Sequence, residues 1–126
     1  MGPLDKQMAI LADRFAGAAH HSMPSGAGLV TVPGIRLPEG WSKPETVVSF
    51  VVPPGYPYAA LDCFWADADL RLANGQVPQN ANITAVGELA EQGLWFSWHL
   101  SHGWDPNRDT LSSWMNTVTD RFRKTQ

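Results

Sequence analysis

Residues 93–109 read Gly93-Leu94-Trp95-Phe96-Ser97-Trp98-His99-Leu100-Ser101-His102-Gly103-Trp104-Asp105-Pro106-Asn107-Arg108-Asp109. This stretch lies directly before a helical pattern and combines tryptophan with histidine, serine and aspartate. Tryptophan rings are large and are seldom placed on an exposed loop, so we expect those of this stretch to lie mainly in the core. Histidine beside serine and aspartate supplies a titratable nitrogen, a nucleophile and an orienting carboxylate. The sequence therefore predicts that any chemical site lies here.

Two segments have the periodicity of amphipathic helices. The clearer one covers residues 109–122, where Asp109 or Thr110 can cap the helix and the apolar residues fall on one face, at Leu111, Trp114, Met115, Val118 and Phe122. Arg121, Arg123 and Lys124 suit the negative C-terminal end of that helix. An N-terminal helix is predicted over residues 4–15, with Leu11 and Phe15 facing the core.

Strands are indicated by runs rich in β-branched and aromatic residues between turn signals. Such runs cover residues 29–32, 46–52 and 61–65, and residues 35–37 form a weaker candidate after Pro33-Gly34. Residues 18–28 and 66–92 predict loops, because they lack periodicity or are poor in apolar side chains. The expected fold class is α+β, with an N-terminal helix, a four-stranded antiparallel meander, a long crossing loop and a C-terminal helix across the sheet. We expect one domain over residues 1–126, with its core within 29–122.

Composition excludes several classes of function. The net charge is −3 with a pI near 5.7, which gives no basic field for nucleic acid. No apolar run approaches the length that spans a bilayer, so no membrane partner is expected. Cys63 is the single cysteine, which excludes an internal disulfide. We expect a cytoplasmic protein.

Several motifs together resemble the ubiquitin-conjugating enzyme superfamily, and more narrowly its prokaryotic family E. They are the turn Pro53-Pro54-Gly55-Tyr56-Pro57, the strand Asp62-Cys63-Phe64, the loop Asn74-Gly75-Gln76-Val77-Pro78, and the stretch from Trp95 to Asp109 with its Trp104-Asp105-Pro106 element. The resemblance covers roughly residues 29–122. It implies a ubiquitin-conjugating fold and a place beside a ubiquitin-like protein, its activating enzyme and a metal-dependent peptidase.

The chain also departs from that family pattern. The family's thioester cysteine stands three residues after the glycine that corresponds to Gly93, and here that position holds Phe96, whose ring cannot carry an acyl group. The family's His-Pro-Asn element is missing, although Asn80 and Asn82 lie in the corresponding loop. The resemblance therefore implies a non-standard or lost active site around residues 97–109.

Other residues are candidates for the missing carrier of an acyl group. Cys63 is the only thiol, but we expect it in mid-strand, buried and unreactive, because a buried cysteine behaves as a small hydrophobe with a raised pKa. Ser97 or Ser101 can carry an oxyester if a histidine activates it, and Ser101 beside His102 is the better placed.

His102 is a candidate general base or an orienter of a bound C-terminal tail, since Asp105 and Asp109 are its neighbours. His99 shares this setting, and either imidazole can equally serve to pin the loop through a backbone carbonyl. Asp109 alternatively only caps the helix. His99 and His102 have a spacing that permits zinc binding, but no further ligands with suitable spacing accompany them, so we expect neither metal nor cofactor. We expect His102 and Asp109 on one rim of a cleft that the loop over residues 74–82 borders.

Three functions follow from these patterns. The first is a conjugating-type transferase in a bacterial ubiquitin-like modification pathway, with His102, His99, Ser101, Asp109 and Cys63 as candidate catalytic residues. The second is a non-catalytic module that binds a ubiquitin-like protein or its activating enzyme. The third is an unrelated hydrolase that uses Ser101 and His102.

Overall fold

The computed structural model describes residues 3–100 and 103–126 of the chain. Its elements are, in chain order, α1 (Pro3–Arg14), β1 (Ala19–Ser22), β2 (Gly28–Arg36), β3 (Glu45–Val52), β4 (Phe64–Ala66), β5 (Ala81–Ala85), β6 (Gln92–Phe96) and α2 (Leu111–Phe122). The α+β class and the two predicted helices are thereby confirmed.

The strands form one antiparallel sheet in the order β1-β2-β3-β4-β6-β5. Six strands are present among the described residues, so the expected four-stranded meander is wrong in its count. The sequence did not reveal three of them. One is β6, which opens the stretch where the chemical site was predicted. The other two, β1 and β5, form the edges of the sheet and lie in segments predicted as loops. Their side chains are mostly exposed on both faces, and they therefore lack the alternation that marks a half-buried strand.

Strand β2 continues through Pro33-Gly34, where the sequence predicted a stop. The pairing register with β3 shifts between Val32 and Ile35, so β2 contains a bulge at this point. Gly34 has a φ of +69°, which glycine adopts without steric cost, and a bulge tolerates the missing N–H of Pro33. The two candidate strands around this dipeptide are consequently one strand.

Both helices cover the same face of the sheet. The guanidinium of Arg14 in α1 donates to the Ser112 carbonyl of α2 at 3.0 Å, which ties the two helices together. Trp114 of α2 packs edge-on against Phe50 of β3, with 6.3 Å between ring centroids. At the other end of the helix, Phe122 contacts Phe64 of β4 and Phe96 of β6. Helix α2 therefore runs across the sheet, as predicted.

The buried face of α2 contains every apolar residue that the periodicity indicated, and also Arg121. Thr110 is the N-cap: its hydroxyl accepts the Ser113 N–H at 3.1 Å, and Ser113 Oγ accepts the Thr110 N–H at 2.8 Å. This reciprocal pair satisfies two backbone groups that the first turn leaves open. Of the tryptophans, Trp114 and Trp41 are buried, whereas Trp95, Trp98 and Trp104 are only half-buried, so the expectation for these three was too strong.

Candidate functional site

Phe96 lies at the centre of an aromatic cluster in the core and is 0% exposed. Its ring stacks on Phe64 at 4.7 Å with an interplanar angle of 8°, and it meets Phe122 edge-on at 5.6 Å. Gly93 lies three residues earlier on the same strand and faces the opposite side of the sheet, because side chains alternate along a strand. Any side chain at position 96 therefore points into the core, where no acyl group has room.

Gly93 is itself required by close packing. A Cβ at this position would lie 2.8 Å from Val86 Cγ2, closer than real Cβ contacts, and 3.0 Å from the Ala66 carbonyl oxygen, tighter than most of them. This contact holds β6 against β4 and against the turn after β5. The glycine thus fixes the strand that delivers the following segment, residues 97–100, to the surface.

The segment of residues 97–100 is held by backbone hydrogen bonds on both sides. The Ser97 N–H donates to the Asn80 carbonyl at 2.8 Å, and the Trp98 carbonyl accepts the Cys63 N–H at 2.8 Å. Between and beyond these two anchors, the side chains of Ser97 and His99 are exposed. The structure therefore presents a hydroxyl and an imidazole on a fixed backbone.

A groove of about 700 Å³ runs between this segment and the C-terminal half of α2. Its walls are formed by Trp98, His99, Leu100, Thr117, Asp120, Arg123 and Lys124. The Lys124 ammonium lies 5.0 Å from the Trp98 ring centroid, within the range of a cation–π contact. Arg123 pairs with Asp120 at 2.6 Å on the same wall. The groove thus offers an aromatic floor, an imidazole and two cationic side chains.

A smaller cavity of about 280 Å³ lies on the other side of His99. Asp62, Leu100, Gly103 and Trp104 are among its lining residues. The Trp104 indole donates to the Pro57 carbonyl at 2.7 Å, which fixes this wall to the Tyr56-Pro57 turn. His99 therefore stands between two concavities, with its side chain open to solvent. Ser101 and His102, which follow it, lie outside the described residues.

Arg121 lies beneath the groove and is buried, with 1% of its surface exposed. Its guanidinium donates to the carbonyls of Gln79, Lys124 and Gln126 at 2.8–2.9 Å. The same group lies 5.1 Å from the Phe96 ring centroid and 5.4 Å from that of Trp98. Burial lowers the pKa of Arg121. The helical spacing of α2 could have revealed that Arg121 is buried, since position 121 follows Trp114 and Val118 on the apolar face. Its charge instead led to the prediction that it interacts with the negative C-terminal end of the helix.

Asp109 is 7% exposed and is tied to the backbone around it. Its carboxylate accepts the Asp105 N–H at 2.9 Å and the Ser113 hydroxyl at 3.3 Å. With Gly103, Asp105 and Arg108 it lines a cavity of about 500 Å³ at the N-terminal end of α2. Asp109 therefore anchors the segment that precedes α2. The N-cap of α2 is Thr110 and not Asp109.

The loop over residues 74–82 does not border the Asp109 cavity as expected. Gln79 of this loop is held by Arg121, which lies about 15 Å along the helix axis from Leu111. The loop therefore lies at the C-terminal end of α2, and Asp109 lies at the N-terminal end. The predicted cleft is wrong in its second rim, and His102 of its first rim lies outside the described residues.

Cys63 lies just before β4 and is half-buried, so its expected place in a buried mid-strand is wrong. Its φ is +61°, a conformation that a side chain with a Cβ seldom adopts and that interrupts the strand before Phe64. Burial, and then the charge of Asp62, raise the pKa of the Cys63 thiol. A thiol of this kind is a weak nucleophile at neutral pH.

We predict that Cys63 reacts slowly with a thiol reagent near pH 7, and that its rate keeps rising at pH values where a free cysteine has already levelled off. The reason is that only the thiolate reacts, and a raised pKa moves thiolate formation to higher pH. Stopped-flow labelling of the native protein between about pH 6 and 10 measures this profile, with a cysteine peptide as the reference. Cys63→Ala is expected to cost about 1 kcal/mol of stability and to leave any transfer activity in place. Rapid labelling at neutral pH combined with loss of activity in the variant would overturn both statements.

A polar contact that the sequence did not reveal joins α1, the Tyr56 turn and α2. The Gln7 side-chain oxygen accepts the Leu111 N–H at 2.9 Å and also the Tyr56 hydroxyl. Burial is the largest cause that raises the pKa of Tyr56 to about 12, so the phenol stays protonated as a donor. The contact fixes where α2 begins, and hence the wall that carries Asp109.

A protein-family model described as prokaryotic E2 family E matches residues 16–125. The chain belongs to this family. The match covers the whole sheet, the segment of residues 97–100 and α2, and it begins after α1. It confirms the resemblance that the motifs indicated.

No curated protein and no solved structure matches the chain. Within residues 3–100 and 103–126, neither helix has the length and apolar content needed to cross a membrane. In that same described part, no group of three or more His, Cys, Asp and Glu side chains is placed to hold a metal ion.

Proposed function

We propose that this family E protein acts in a bacterial ubiquitin-like modification pathway as a conjugating-type domain whose acyl carrier is not the usual thioester cysteine. The observation that carries this proposal is the position of Phe96, which fills the core where the family pattern has its cysteine. Its partners are a ubiquitin-like protein and the activating enzyme of that protein. The single domain over residues 1–126 and a cytoplasmic location stay predictions.

The groove beside α2 supports the binding of an extended polypeptide tail. Its volume of about 700 Å³ suits several residues of such a tail, and the Trp98 ring provides an apolar floor. Lys124 on its wall favours the carbonyl oxygen of a thioester-linked tail or the carboxylate of a free one, while Arg123 is paired with Asp120. His99 lies at the edge of the groove, where its imidazole can contact the end of the tail.

The chemistry that fits this site is acyl transfer to a serine hydroxyl. The hydroxyl oxygen of Ser101, or of the exposed Ser97, attacks the carbonyl carbon of the tail's thioester on the activating enzyme. A C–O bond forms, the C–S bond breaks, and the thiolate of the activating enzyme leaves. His102 or His99 takes the hydroxyl proton as general base. Asp109 holds the backbone before α2 in this scheme and does not touch the tail.

The second candidate is a non-catalytic module that binds the same partners. It is favoured by the state of Cys63, the only thiol, because burial and the Asp62 charge raise its pKa and weaken it as a nucleophile. In this case the groove binds the tail and no covalent adduct forms. The third function, an unrelated hydrolase, would be recognised by turnover of small esters.

We predict that His102→Ala and His99→Ala leave the melting temperature nearly unchanged and abolish conjugation or tail binding. His99 is exposed, and an exposed side chain contributes little to stability, whereas a base or a tail contact is needed for function. Thermal melts are run beside a conjugation and binding assay with the ubiquitin-like protein, its activating enzyme and ATP. His20→Ala is the matched control, because His20 lies on β1 at the far edge of the sheet.

Each variant separates the alternatives. Loss of conjugation with retained binding supports the catalytic proposal, and loss of binding with no adduct in the parent supports the binding module. A variant that melts early has lost a loop-pinning histidine. A variant as stable and as competent as the parent removes that histidine from the site.

A further inference from the structure

Among the residues that the structure describes, strand β5 has a paired strand on one side only, at the edge of the sheet. Its register pairs Asn82 with Trp95 and Thr84 with Gly93 on β6. The same register continues at both ends, where the Ser97 N–H bonds to the Asn80 carbonyl and the Val86 N–H bonds to the Glu91 carbonyl. In an antiparallel pair, residues that bond to the neighbour alternate with residues that do not. The even-numbered residues of β5 therefore bond to β6, and Ala81, Ile83 and Ala85 direct their N–H and C=O groups outward.

Nothing in the local sequence protects this edge. Proteins usually guard edge strands with charged side chains, with proline or with a bulge. Residues 76–87 contain no charged side chain, and the strand itself contains no proline. Ile83, at its centre, is 39% exposed.

The sequence of β5 is complementary to itself about Ile83. When two copies of Ala81-Asn82-Ile83-Thr84-Ala85 are placed antiparallel around a twofold axis, Ile83 faces Ile83, Asn82 faces Thr84, and Ala81 faces Ala85. The pairs are apolar with apolar, amide with hydroxyl, and small with small, all of them favourable across strands. No like charges meet.

The outward-facing backbone groups of β5 are also placed correctly for a twofold axis at Ile83. A twofold axis at Ile83 makes the outward-facing residues the bonded pairs, namely Ile83 with Ile83 and Ala81 with Ala85 on each side. Two bonds for each of these pairs give about six new backbone hydrogen bonds. An axis displaced by one residue, at Asn82, would bond only Ala81 with Ile83 on each side and give about four such bonds within the strand.

We propose that β5 is a dimerisation edge, at which a second copy of this chain pairs with it about Ile83 to form one continuous sheet. An isologous contact of this kind closes on itself and leaves no edge for further addition. It places no residue of the groove beside α2 in the interface. The proposal is therefore independent of the proposed function.

The area of one strand pair is small, so we expect a dissociation constant of about 10–100 µM. Sedimentation velocity of the full chain, from about 1 µM to 1 mM, measures it. Ile83→Lys is expected to weaken the dimer at least about tenfold, because two ammonium groups would face each other. Ile10→Lys is the matched control, since Ile10 lies on α1 and is 59% exposed.

Two further variants keep the test sharp. Ile83→Pro takes away an N–H that the pairing of β5 with β6 does not use, together with a partly exposed side chain, and it should abolish dimerisation while the protein still melts cooperatively. Mixing Ile83→Lys with Ile83→Glu should restore a dimer, because opposite charges then meet across the axis. A parent that stays monomeric up to 1 mM, a dimer that Ile83→Pro leaves intact, or a charge-swapped mixture that stays monomeric would each overturn the proposal. So would an edge that binds the tail of the ubiquitin-like protein in place of a second copy.

Discussion

Replacing Phe96 by cysteine is expected to destabilise the protein severely and not to create a thioester site. The substitution removes a ring that contacts Phe64, Phe122 and Trp41, and leaves a cavity in the aromatic cluster. Truncations of this kind cost about 3–5 kcal/mol, a large part of the 5–15 kcal/mol that typically separates folded from unfolded states. Urea unfolding followed by tryptophan fluorescence measures the loss.

Ser97→Cys is the matched control, because the neighbouring side chain is exposed and its replacement should change stability by no more than about 0.5 kcal/mol. The core position of residue 96 would be disproved by a Phe96→Cys variant that is as stable as the parent and forms an adduct sensitive to thiols.

Arg121→Ala is the second substitution with a large expected effect, at about 3–5 kcal/mol of destabilisation. It leaves the carbonyls of Gln79, Lys124 and Gln126 without their donor and removes the cation that lies against Phe96 and Trp98. A hydrogen bond from a charged donor contributes about 1.5–3 kcal/mol, and the lost packing of the buried side chain adds to this. Chemical denaturation measures the loss, and tryptophan fluorescence reports the change around Trp98.

Arg123→Ala controls for charge at the same end of α2. Its ion pair with Asp120 is exposed, so its loss should cost less than about 1 kcal/mol. Arg121→Lys should recover only part of the stability, since an ammonium cannot reproduce the planar array of donors. Equal effects of the two alanine variants would show that the buried guanidinium is not a structural anchor.

The sequence predicted the helices and strands in which buried residues recur at regular spacing. Helix α2 is the best case, because Leu111, Trp114, Met115 and Val118 face the sheet at helical spacing. The edge strands β1 and β5 were missed, since they are stabilised by backbone pairing with β2 and β6 and have exposed side chains. The hydrophobic pattern of a strand does not indicate which other strand its backbone pairs with.

The site was predicted less well than the fold. The stretch of residues 93–109 does border the main cavities, and His99 does lie at their edge. The strained φ of Cys63 and the distance between Asp109 and the loop of residues 74–82 depend on tertiary packing, which no periodicity reports. Arg121 was misassigned because a charged residue on an apolar face is buried only when carbonyls converge on it, and these come from Gln79 and from the residues after α2.

The chemical nature of the adduct tests the central claim most directly. The Cys63→Ala variant is incubated with the ubiquitin-like protein, its activating enzyme and ATP, and the product is analysed by mass spectrometry before and after treatment with a thiol reductant and with mild alkali. We expect an adduct that forms without Cys63, survives the reductant and is cleaved by alkali, as an oxyester on serine is. An adduct that forms only on the parent chain and is released by the reductant would place the acyl group on Cys63 and contradict the account.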